Sequence, residues 1–164
     1  MSDVKTLYEE DFFAWSQRQA KALRAAAGNR TNQLLDWENL AEEIEGLGAS
    51  ERSALGSHLM RIIQHFAKLE FSPAVEPRSG WKRTIRIARV QAERRLGENP
   101  SLRRQLRRIV ERETRLGLEY AIADLEEHGE IDAVEANSLR RLRYSVEQIL
   151  GDWFPPEPPR ETEP

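Results

Sequence analysis

Glu51, His58 and His65 are the first candidates for chemistry, spaced seven residues apart along what reads as one helix. A carboxylate and two imidazoles are the groups from which helical proteins build metal sites and proton relays. Seven residues climb about 10.5 Å, too far for two of these side chains to share one ion. Each would serve a different layer, and the Glu-x-x-His pairs of di-metal bundles do not occur. The expectation is therefore an interhelical hydrogen-bond network organised by His58 and His65 with Glu51 or its neighbours, with a metal site as the lesser alternative. Asp124 and His128, four apart, have ligand-compatible spacing as well. His128, however, falls at a helix end, where a cation is favoured in any case. Glu42, Glu43 and Glu45 point in divergent directions from one helix, so they read as a solvated face forming salt bridges, with the arginine-rich helices as expected partners.

Other reaction classes find little footing. The chain contains no cysteine, which removes thiol nucleophiles, thiolate metal sites and disulfides. There is no Gly-x-Ser-x-Gly elbow, and the glycines of GASERSALG lack the lysine of a phosphate-binding loop. No cofactor is expected.

A net charge of -3 conceals a segregated pattern. Residues 1–57 carry 6 positive and 10 negative side chains, 58–77 carry 2 and 2, 78–115 carry 13 and 4, and 116–164 carry 4 and 12. Arg103, Arg104, Arg107, Arg108, Arg112 and Arg115 fall on the outward side of one predicted helix, while Lys82, Arg83, Arg86 and Arg89 wrap the preceding one. Arginines recurring every turn could neutralise the phosphates of a nucleic acid. Against this stand the acidic overall balance and the lack of any recognisable reader motif, so pairing with the acidic flanks is the expected use.

The elements that must position these residues are all helical. Charged residues make up 32% of the chain, mixed with Leu and Ala, which suits helices with one buried and one solvated face. Tyr8, Phe12, Trp15, Ala22, Leu23 and Ala26 predict a first helix over 7–27, started by a Thr6/Glu9 capping box and closed by a turn at GNRTN. Ten apolar residues from Trp37 to Leu69 share one arc of about 120°, and this phase survives Gly46, Gly48 and Gly56. One long helix over 36–70 is preferred to two with a stop at Gly48. After the SPAVEPRSG loop, Trp81, Ile85, Ala88 and Ala92 form the stripe of a further helix, with Ile87 and Val90 opposite as a second covered face. Asn99 as N-cap and Pro100 at the first position open another, in which Leu102, Leu106, Ile109, Leu116, Tyr120 and Ala123 hold phase to about Glu127, with Gly129 as its end. Asp132 and Glu135 form a capping box before a last stripe of Leu139, Leu142, Val146, Ile149, Leu150 and Trp153. The four tryptophans lie on apolar arcs and are expected anchors of interhelical contacts.

The result is an all-α expectation: a single-domain bundle of five or six helices over residues 1–154 with one long central helix, and a proline-rich, extended or disordered tail over 155–164. Neither a basic-then-apolar leader nor a long apolar run is present, so a cytoplasmic protein without a membrane segment is expected.

YEEDFFAW, LAEEIEGLGASER, HFAKLEFSP, GWKRTI, NPSL and YSVEQILGDWFP occur in this order and span almost the whole chain. Together they resemble the landmarks of the bacterial domain-of-unknown-function family 29. The resemblance implies an all-helical bundle and a bacterial source, and it brings no activity. Where that family usually carries a proline-rich segment, this chain reads IDAVEANSLRRLRYS, which predicts a more continuous helix there. In function, a protein-interaction or regulatory module with another protein as partner is expected ahead of an enzyme. The alternatives are a nucleic-acid binder using the arginine-rich helices of 81–115 and a metal-dependent helical-bundle enzyme.

Overall fold

The computed structural model describes residues 4–29 and 35–157. Among them the chain is helical without strands: α1 (Val4–Glu10), α2 (Phe12–Gly28), α3 (Trp37–Phe71), α4 (Arg78–Glu98), α5 (Leu106–Glu127), α6 (Ala133–Leu139) and α7 (Val146–Leu150). A 3-10 turn, Pro100–Gln105, leads into α5. The all-helical class is as expected. The helices number seven because the first and last predicted ones are each divided in two. Most of the GNRTN turn, and residues 158–164 of the tail, lie outside the described residues.

The chain forms two compact units, one of Met1–Leu55 with Arg94–Gln105, the other of Gly56–Glu93 with Leu106–Pro164. In the first, Phe13, Ala20, Ala41, Leu55, Leu96 and Leu102 make the core. The predicted first helix breaks at Asp11, whose non-helical backbone (φ -155°, ψ 88°) separates α1 from α2. Thr6, read as an N-cap, lies inside α1. Asp11 is the true cap, and it serves two helix starts at once. Its carboxylate accepts the Ala14 N–H at 2.8 Å, the Ser101 N–H at 2.6 Å and the Ser101 hydroxyl at 2.9 Å. Asn99, expected to cap its own helix, instead accepts the Phe13 N–H of α2 at 2.9 Å through Oδ1. Two amides at the start of α2 and one at the start of the 3-10 turn, which a helix cannot satisfy by itself, are thus paired by side chains.

Helix α3 runs unbroken for 35 residues. None of its internal glycines is a stop, and two of them, Gly48 and Gly56, are points of close packing. A methyl group at Gly48 would overlap the Ser16 hydroxyl of α2 and come within 3.3 Å of the Phe13 ring. In the second unit Gly117 of α5 plays the corresponding part, since a methyl there would lie 2.8 Å from the Met60 carbonyl oxygen.

The second unit is built on Leu59, Ile62, Ile63, Phe66 and Leu69 of α3, Ile85 and Ala88 of α4, and Ile109, Leu118, Ile122 and Leu125 of α5. Gly129, at φ 65°, ends α5 as predicted: the Glu130 N–H reaches the Leu125 carbonyl at 2.8 Å and the Gly129 N–H that of Glu126 at 3.0 Å. The Asp132/Glu135 capping box is formed. The continuous helix expected across IDAVEANSLRRLRYS is not: α6 stops at Leu139, residues 140–145 are non-helical, and Ser145 with Gln148 forms a second capping box that starts α7. The stripe from Leu139 to Trp153 therefore belongs to separate pieces, held by an aromatic cluster of Phe66, Tyr144, Trp153 and Phe154 with centroid separations of 5.1–6.4 Å.

Two arginines of the basic third are buried. Arg78 donates to the carbonyls of Leu69 and Ser72, closing the end of α3. Arg89, read as part of an exposed wrap, is turned inward: it donates to the carbonyls of Ile149 at 2.8 Å and Gln148 at 2.9 Å, and to that of Trp153, between the rings of Phe66 and Phe154. Removing Asp11 tests the shared cap of the first unit. Asp11→Ala should lower unfolding free energy by about 2 kcal/mol, with Asp11→Asn retaining part of it, as read by urea denaturation.

Candidate functional site

The polar line of the sequence is divided between the two units. In the first unit Glu51 accepts from Arg95 at 3.0 Å and from the Asn99 side chain at 3.2 Å, which makes it part of the structure that positions Asn99. In the second unit His58 and His65 are half-buried. The Nδ1 of His65 is buried without a hydrogen-bond partner. Burial, reinforced by the charges of Lys68 and Arg61 and only partly offset by Asp124, pushes the imidazole down to about 4, so it is neutral near pH 7. Asp124 is taken by Gln64 at 2.9 Å and Lys68 at 3.0 Å, and Lys68 also sits 5.0 Å over the Trp81 ring. The Asp124–His128 pairing is through the backbone: His128 Nδ1 lies 2.7 Å from the Asp124 carbonyl. Among the described residues no three metal-binding side chains converge. Of the acidic run, Glu42 and Glu43 are exposed and Glu45 pairs with Arg24 of α2 at 2.6 Å, not with the arginine-rich helices.

Apart from Arg89, the arginines read as outward-facing, Arg83, Arg86, Arg103, Arg104, Arg107, Arg108, Arg112 and Arg115, are exposed. In the first unit these are Arg103 and Arg104. In the second, Arg107 pairs with Glu111 at 3.5 Å, Arg112 holds the buried Glu113 at 2.6 Å, and Arg86 lies 5.5 Å over the Phe154 ring. Arg83, Arg104, Arg108 and Arg115 have no ion pair among the described residues. Arg108, Arg112, Arg115 and Glu119 share the outward line of α5, opposite its buried face of Ile109, Val110, Gly117 and Leu118.

This line leads into a groove of about 290 Å³ between α5 and the segment joining α6 to α7, lined by Glu111, Thr114, Arg115, Leu118, Glu119, Arg140 and Arg143. Leu118 and Thr114 are buried, the Thr114 hydroxyl being committed to the Val110 carbonyl at 2.7 Å. Arg140 grips Glu119 by two bonds, 2.8 and 3.1 Å, which hold that carboxyl below the usual carboxylate range. Arg143 is fixed by donating to the carbonyls of Arg140 at 3.0 Å and Leu142 at 2.6 Å. Glu119 cancels Arg140 and Glu111 faces Arg107, so Arg115 and Arg143 remain as groove cations without a carboxylate partner among the described residues. Sequence reasoning missed Arg140 and Arg143, because the helix expected there hid the bend that turns them toward α5. The signal was present in Ser145 followed three residues on by Gln148.

An all-helical protein of this architecture has a counterpart among solved structures. The crystal structure at 1.45 Å of an alpha-helical protein of unknown function from Rhodospirillum rubrum is 25% identical and covers 88% of this chain and 89% of its own, with a TM-score of 0.68. The family model described as "Domain of unknown function DUF29" matches residues 7–154, and the chain belongs to that family. No curated protein matches. No helix among the described residues is long and apolar enough to cross a membrane.

His65 yields a pH dependence whose sign is set by its lowered value. The unfolded chain, with an ordinary imidazole near 6.5, takes up the proton more readily than the folded one. The stabilisation from a neutral His65 is complete above pH 6.5 and is lost as pH falls toward 4. It amounts to about 3 kcal/mol at most, and solvent screening at the exposed part of the ring reduces it to about 1–2 kcal/mol. Urea melts between pH 7 and 4 should show a shallower loss in His65→Gln than in the parent, and parallel curves would refute the assignment.

Proposed function

We propose that this protein is an interaction module that receives an acidic segment of a partner protein in the groove between α5 and the α6–α7 connection. One observation carries the reading: Arg115 and Arg143 flank an apolar floor at Leu118, while the third arginine is already neutralised by Glu119. A groove of about 290 Å³ has room for one or two side chains, so it suits a carboxylate beside an apolar residue. The guanidinium forks supply paired donors to that carboxylate. Glu111 and Glu119, interleaved with the arginines, would repel the continuous phosphates of a nucleic-acid backbone. This favours the peptide over the nucleic-acid reading of the same arginines.

Fluorescence anisotropy of a labelled peptide of alternating glutamate and leucine measures the proposed contact at low salt. Binding should weaken by roughly tenfold or more in Arg115→Glu and again in Arg143→Glu, and should weaken as salt is raised. A single-stranded oligonucleotide of equal charge serves as the competitor. If it binds more tightly than the peptide, or if peptide binding is indifferent to both reversals, the reading fails.

A further inference from the structure

Besides the Leu116 and Tyr120 pair of α5, whose charged neighbours Arg112 and Glu119 are of both signs, two exposed apolar stripes of opposite charge occur among the described residues, apart from the arginine groove. The first lies on the opening turns of α3, in the first unit. Leu40 is 41% and Leu47 52% exposed, with half-buried Ile44 between them at helical spacing. Both leucines are large apolar side chains left in solvent on a helix whose next face, at Ala41 and Gly48, is fully packed. The charged residues beside this stripe are Asp36 and Glu43, both exposed and without a cationic partner among the described residues. The second stripe lies on α4, in the second unit. Ile87 is 47% and Val90 71% exposed, where the sequence predicts a second covered face. Here the charged neighbours are Arg83, one turn before Ile87, Arg86, and one turn after Val90 Glu93 and Arg94, the latter paired with Glu98, so that arginines outnumber the one unlike charge at this margin. Arg83 has no ion pair among the described residues, and Arg86 only rests over an aromatic ring.

We infer that this chain self-associates by docking the acidic α3 stripe of one copy against the basic α4 stripe of another. Each stripe has the form of a helix face that buries apolar residues behind a charged margin, and the margins match only in the unlike combination. An α3–α3 contact would set Asp36 and Glu43 against their own copies, and an α4–α4 contact would oppose arginines. The contact is consequently heterologous, using different surfaces of the two copies. Leu40, Leu47, Ile87 and Val90 form its apolar centre, and Glu43 with Arg83 its charged edge.

Complementation between two broken surfaces tests this directly. Leu40→Glu/Leu47→Glu disables the first stripe and Ile87→Glu/Val90→Glu the second; all four sites are exposed, and circular dichroism with thermal melting checks that each variant folds. Light scattering after gel filtration, at concentrations on the order of 100 μM, should show the parent chain above monomer mass and each variant alone as a monomer. Mixed one to one, the two variants should form a dimer, because each retains the half that the other lacks. A second pair leaves the apolar residues untouched: Glu43→Arg and Arg83→Glu should each weaken association at least tenfold, and the two changes in one chain should restore it. A monomeric parent, a variant that associates as before, or a mixture that stays monomeric would each overturn the inference.

Discussion

A helix leaves amides unpaired at its start and carbonyls unpaired at its finish, and four buried polar side chains supply the missing partners here. Asp11 and Asn99 serve helix starts in the first unit, and Arg78 and Arg89 serve helix ends in the second. For Asp11 at Ser101, Asn99 at Phe13 and Arg89 at Ile149 the terminus is satisfied from a distant part of the chain, so the cap is also a tertiary contact. Arg78, the first residue of α4, instead closes α3 from nearby in the chain. Losing one such side chain would strand several backbone groups out of water, each at a cost of about 1–3 kcal/mol. The segments that joined this chain to its family carry these joints. YEEDFFAW contains Asp11, NPSL contains Asn99 and Ser101, and YSVEQILGDWFP supplies the carbonyls that Arg89 closes, together with the Tyr144 and Trp153 rings.

Much of the scaffold was legible because helical phase is a local signal. The ten apolar residues from Trp37 to Leu69 require one helix, and the structure has one. The stop at Gly129 and the start at Asp132 were equally readable, since a left-handed glycine and a capping box act within a few residues. The breaks at Asp11 and at 140–145 were not. Apolar residues keep phase across both, and what divides the helices is a bond to a residue some 90 positions away in one case and the packing of Tyr144 on Phe66 in the other. Such long-range contacts are invisible to any periodicity.

The candidate site was legible in part for the same reason. Composition marked the basic third, and phase placed its arginines outward on α5. Leu116, Tyr120 and Ala123, read as part of the buried stripe, are exposed, because the packed face shifts to Gly117, Leu118, Ala121 and Ile122. Yet thirteen basic residues of one stretch had looked alike, and the structure gives them different tasks. Arg78 and Arg89 close helix ends, Arg95 and Arg112 hold carboxylates, and Arg83, Arg108 and Arg115 face solvent without an ion pair. The groove also needs Arg140 and Arg143, which come from the acidic third. At the groove, the charge that is segregated along the sequence is therefore intermixed.

The helical glycines separate what can be stabilised from what cannot. Alanine is favoured over glycine inside a helix by about 1 kcal/mol, so exchanging the two is a standard route to a hardier protein. Gly46, Gly80 and Gly97 have open space where a methyl would go and are eligible for that exchange. Gly48 and Gly117 are not, because there the missing methyl is the space that a neighbouring helix occupies. The same residue type is a replaceable weakness at some points of this chain and a hinge pin of the architecture at others, and an attempt to harden the protein must treat them as different residues.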